Sequence, residues 1–122
     1  MTASADTIAC HREKSRHFLA LVDDELARGE LEEASNKVWG AAAHAIKAVA
    51  ERRGWEHHAH ALLQEAIQRL IRDEGAPSHL WGQYMMASAY HQGFYAWPPP
   101  ADGIRYGKEI ISEFVATLES LG

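Results

Sequence analysis

At 122 residues the chain has the length of one domain, and its 47% hydrophobic and 24% charged content is enough to close a single core. A formal charge of −5 works against general nucleic-acid attraction, leaving only a local basic cleft, and the lone Cys10 excludes an internal disulfide or a cysteine metal cluster. The opening MTASADTIACHREKSRH lacks the apolar run of a signal peptide and no stretch is suited to a bilayer, so no membrane association and a cytoplasmic location are expected.

Apolar spacing predicts a first helix from about Asp6 to Arg28, with Ile8, Phe18, Leu19, Val22 and Leu26 inward and Gly29 as its stop. The N-terminal half of that face carries Arg12 and Ser15, which is compatible with residues 1–15 projecting from the core or meeting a partner. A turn of about two residues then forces the next helix to run antiparallel. The stretch Glu32 to Trp55 is the most informative in the chain. On a helical wheel Leu31, Ala34, Val38, Ala41, Ala42, Ala45 and Val49 share one stripe, flanked by Trp39, Ile46 and Ala50. Alanine adds no bulk, so neighbouring helices can approach closely. Glu33, Lys37, Gly40, His44, Lys47 and Glu51 form the opposite, solvated face, and Gly54 caps the helix. Arg52 and Arg53, just before that cap, complement the helix dipole.

A third helix is predicted from about His58 to Glu74, burying Leu62, Leu63, Ala66, Ile67, Leu70 and Ile71, and closed by Gly75 and Pro77. Ser78 is the expected N-cap of a fourth, LWGQYMMASAYHQGFY. That segment is almost without charge and apolar nearly all round, which predicts burial by the bundle or by a second subunit. Trp97 to Pro100 ends helix formation, because consecutive prolines favour polyproline geometry. A fifth helix starts near Asp102 and buries Ile104, Ile111, Phe114, Val115, Leu118 and Leu121. No strand pattern or repeat competes. The expectation is one all-α domain over residues 1–122, an antiparallel up-and-down bundle of four to five helices.

The pattern SNKVWGAAAHAIKAVAERRG, followed by Tyr90-His91-Gln92-Gly93-Phe94-Tyr95 and the last amphipathic helix, resembles the HEPN superfamily and most closely its PaREP1-like branch. The similarity covers roughly Phe18 to Leu121. It implies a helical bundle commonly paired as a homodimer, within a group that includes ribonuclease toxins and non-catalytic partners of small nucleotidyltransferases. Catalytic members carry an Arg-polar-x-x-x-His motif. His91 matches its histidine, but Met86 stands at the arginine position and Ala87 at the polar one. A guanidinium can stabilise the pentavalent phosphorane of RNA cleavage, whereas a thioether offers neither charge nor a strong donor. The departure implies loss of ribonuclease activity and a dimeric interaction or ligand-binding module. The alternative is an RNA- or nucleotide-directed nuclease with His91 as acid/base and another cation in place of the arginine.

Each candidate has a plainer reading. His91 reads as a core histidine bonded to a neighbouring hydroxyl or carbonyl, or as a catalytic or ligand-orienting group in a cleft. Lys37, Lys47 and His44 read as a solvated face, with Glu33 pairing Lys37, or as the replacement cationic site. Trp81, Tyr84, Met85, Tyr90, Phe94, Tyr95 and Trp97 read as core, as a homodimer interface, or as a pocket wall. Three Arg-x4-His spacings, Arg12–His17, Arg52–His57 and Arg53–His58, lie outside the family's placement of its motif. His57, His58 and His60 form a short cluster without a carboxylate or thiolate, too poor a donor set for a specific metal. No Glu-x-x-His pair or glycine-rich phosphate loop occurs, so no cofactor and no metal are expected.

Overall fold

A computed structural model describes residues 2–92 and 100–122, apart from the side chains of 2–4 and Gln92. These residues form five α-helices and no strand: α1 Thr2–Ala27, α2 Leu31–Arg53, α3 His60–Glu74, α4 His79–Gln92 and α5 Ala101–Leu121. The architecture is the all-α bundle that the apolar spacing requires. Phe94, Tyr95 and Trp97, with the expected end of the fourth helix and most of the proline loop, lie outside the described residues.

Glycine ends the first two helices by the same device. Gly29 and Gly54 adopt φ of 74° and 73°, which costs an L side chain but not glycine. At the second, Trp55 N–H reaches Ala50 O at 2.9 Å and Gly54 N–H reaches Glu51 O at 3.1 Å, the paired bonds of a Schellman motif. The three-residue link Arg28–Glu30 turns the chain back on itself. Contacts between Glu25 and Lys37, Phe18 and Gly40, Ser15 and Ala41, and His11 and His44 then step along both helices in opposite directions.

The α2 helix is the centre of the bundle and touches all four others. Here the structure departs from the wheel. The face carrying Lys37, Gly40 and His44, expected to be solvated, lies under α1. A Cβ on Gly40 would come within 2.8 Å of the Phe18 ring, so the absence of a side chain sets the helix spacing. Lys37 pairs with buried Glu25 of α1 at 2.9 Å, and Glu33 stands 3.9 Å away as a secondary partner. The α1 helix begins at Thr2, four residues before the expected start, and Ser15 is fully buried with its hydroxyl donating to Ala41 O at 2.7 Å.

The remaining seams are fastened at their ends. Arg16 grips Glu119 of α5 through two hydrogen bonds, and Lys108 meets Asp23 at 2.7 Å. Arg53 grips Glu74 through two more and donates to Gly122 O at 2.7 Å, so it joins α2 to α3 and α5. Arg53 also donates to Val49 O in the last turns of α2 at 3.2 Å, so it serves the helix end as the dipole suggests while its other partners lie across the bundle. The fourth helix is less enclosed than its composition suggests. Leu80, Tyr84, Ala87 and Ser88 are buried, while Gly82 and Met85 are exposed, Met85 at 51%.

Candidate functional site

Along α2, Trp39, Ala43 and Lys47 recur every fourth residue and so stand in one row. The chain between α2 and α3 crosses that row. Ala59 is extended, with φ −140° and ψ 151°, which delivers His60 as the first residue of α3 beside the Trp39 indole. From α4, Tyr84 and Ser88 are one turn apart and present hydroxyls to His60 Nε2, at 2.9 and 3.2 Å. His91 comes in one turn after Ser88.

The three rings of Trp39, His60 and His91 are nearly parallel. Trp39 lies 4.9 Å from His60 at 22°, and 4.8 Å from His91 at 18°. The two imidazoles are 5.6 Å apart at 15°. Rings on opposite faces of an indole would be separated by about 7 Å, twice the van der Waals contact distance. Both imidazoles therefore share one face of Trp39, side by side. Beside them opens a cavity of about 180 Å³ whose wall includes Ala43, Lys47, His57, His58 and Leu63. Burial, and secondarily the neighbouring His91, holds the His60 pKa below its ordinary value, and burial raises that of Tyr84. Both are thus neutral at pH 7, and the ammonium of Lys47 is the fixed positive charge of the wall.

A second cluster adjoins the first. His11 Nδ1 lies 2.9 Å from His44 Nδ1, with the rings stacked at 5.1 Å. His57 approaches His11 edge-on at 5.4 Å and bonds Glu51 Oε2 through Nε2 at 2.7 Å, so it belongs to this cluster and to the groove wall. Burial, followed by Lys47, His11, Lys14 and His57, pushes the His44 pKa down to about 4. His11 is lowered as well, by burial first and then by His57 and the two lysines, with Glu51 opposing.

Residues 10–98 match the Archaeal PaREP1/PaREP8 family. The chain belongs to that family. A crystal structure of TT1696 from Thermus thermophilus superposes with a TM-score of 0.73 at 20% identity, covering 98% of each chain, a likeness of fold alone. No curated protein matches the chain.

In this PaREP1/PaREP8 member the sequence-derived candidates are dispersed. His91 is not buried as a core histidine; it is exposed at the groove edge, stacked on Trp39 and beside His60. Met86 is half-buried and Ala87 fully buried, so Ala87 presents nothing to the groove. His44 lies beneath α1 rather than on an open face. Trp81 lines a separate apolar cavity of about 450 Å³ with Gln68, Ile71, Arg72 and Ser78. Tyr84 is buried against His60, and Met85 points to solvent. Tyr90 donates to Gly103 O at 2.7 Å and lies against Gly107, where a Cβ would collide with its ring.

The His57, His58 and His60 cluster does not share one helical face, because only His60 is helical. Among the described residues no three His, Cys, Asp or Glu side chains are placed to hold a metal ion. Sequence reasoning missed Trp39 as a platform and His60 as the partner of His91. The row Trp39–Ala43–Lys47 was a usable signal, since a large ring, a small residue and a cation one turn apart describe a floor open to a ligand.

Proposed function

We propose that this protein is a non-catalytic, HEPN-like binding module, one domain of cytoplasmic location, that holds a small flat ligand in the groove between Trp39 and Lys47. The observation that carries the reading is the cavity that opens beside the Trp39–His60–His91 stack, with Lys47 in its wall. The two imidazoles provide stacking surface and ring nitrogens for hydrogen bonds at their edges, and Lys47 offers charge to an anionic substituent. At about 180 Å³ the cavity is below the size of drug-like sites and suits one heteroaromatic ring. Met86 and buried Ala87, at the two motif positions expected to hold an arginine and a polar group, favour binding over catalysis. A small-ligand screen read by the indole and imidazole NMR signals tests it. Ligands that shift Trp39 and His91 in wild type and lose affinity in Ala43→Phe support the groove. A screen of nucleobases, nucleotides and heteroaromatic acids that moves neither signal ends the reading.

The exposed, uncharged side of α4 around Gly82 and Met85 supports assembly as a homodimer, or with a protein partner such as a small nucleotidyltransferase. A monomer by light scattering at micromolar concentration, unchanged in Met85→Glu, would remove the homodimer. A second reading, an RNA-directed nuclease, is favoured by the exposure of His91 next to His60 and Lys47. It requires cleavage of single-stranded RNA that is lost in His91→Ala.

A further inference from the structure

The histidine pair at the seam between α1 and α2 differs in kind from the contacts around it. A 2.9 Å contact between two Nδ1 atoms holds one proton, because one nitrogen must donate and the other accept. If both rings become imidazolium, two N–H groups oppose each other at that distance. Each element around the pair carries a cationic or titratable group that adds to the cost, and Glu51 of α2 partly offsets it at His11. Lys14 faces it from α1, Lys47 from α2, and His57 from the chain between α2 and α3, while the nearby carboxylate of Glu51 is bonded to His57.

We propose that the His11–His44 contact is an acid-released clasp that holds the N-terminal half of α1 on α2. With either ring neutral the clasp is closed. When both are protonated it opens, residues 2–14 leave the seam, and the His44–Lys47 stretch of α2 is uncovered on the side that faced them. His57 also loses its edge contact with His11, so opening loosens one wall of the adjoining groove. The release is local. Beyond it α1 is held by Ser15 on Ala41, Arg16 on Glu119, Asp23 on Lys108 and Glu25 on Lys37, and none of these contacts contains a histidine. The depressed affinity of both rings for protons is what such a clasp requires.

Amide hydrogen exchange on the intact chain at pH 7 and pH 5, corrected for intrinsic rates, tests the clasp. In wild type the opening of residues 2–14 is expected to rise roughly tenfold at pH 5, with residues 16–27 unchanged. His44→Phe keeps a ring against Phe18 but cannot titrate, and its protection is expected to be equal at both pH values. His11→Phe, changed on the more exposed partner, provides the same test should His44→Phe fail to fold. His11→Lys is expected to be open already at pH 7. The proposal is overturned if wild-type protection in residues 2–14 does not change with pH, if protection falls equally along the whole chain, or if a folded Phe variant keeps the wild-type pH response.

Discussion

Two pairs of imidazoles stand side by side in this bundle and are held by different physics. His11 of α1 and His44 of α2 meet at the seam of the two helices and share a proton, so their geometry depends on the charge of both rings. His60 and His91 share an indole face instead, and His60 is steadied through Nε2 by Tyr84 and Ser88, so their placement depends on packing and hydroxyl bonds. The first pair fastens a helix; the second leaves a surface open to solvent. The same residue type is thus a structural fastener when enclosed by cations and a ligand-facing group when stacked on an aromatic ring.

The sharpest way to break this contrast is Trp39→Ala, which removes the platform of the second pair and should destabilise the fold by about 3 kcal/mol in urea unfolding. It should leave the pH response of residues 2–14 intact. A collapse of both features together would mean that the two pairs are one unit. Next in size, Gly40→Val drives a branched side chain into the Phe18 ring and should cost about 2 kcal/mol, read in thermal unfolding, while His60 stays in place.

Acid should act most strongly on the first pair, although burial also lowers the His60 pKa in the second. The folded pKa of His44 is about 4, below the ordinary 6.5, so the unfolded chain binds more protons between those values. Stability is therefore full above pH 6.5 and falls as pH drops toward 4. With His44 only about half enclosed, solvent screening reduces the effect to on the order of 1 kcal/mol, measurable in denaturation midpoints at pH 7 and 5. The smallest effect belongs to the second pair. Tyr84→Phe deletes one hydroxyl bond to His60 and should cost about 1 kcal/mol or less, with a changed His60 titration by NMR as its signature.

The helices were legible because their signals are local. Gly29, Gly54 and Gly75 each end a helix in a left-handed conformation, and the inward residues of α5 recur with helical spacing and are buried as expected, apart from the half-buried Leu121. The α1 start was misplaced because residues 2–5 carry no apolar periodicity to announce it. The candidate site was much less legible. His57, His58 and His60 read as one cluster in the chain, yet the helix begins between them and sends His57 to Glu51 and His60 to Tyr84. The polar stripe on α2 read as solvated because a helical wheel registers side-chain type and cannot register which neighbour covers it.

Chain order alone settled that apolar residues recur with the period of a helix and that glycines interrupt them, which is enough to require laterally packed helices. Tertiary structure alone decided that α1 covers the Gly40–His44 face, that Trp39 carries two imidazoles from different helices, and that Lys47 borders the resulting groove. The reason is range: helix formation follows from residues a few positions apart, whereas the meeting of His60 with His91 and of His11 with His44 depends on how whole helices cross.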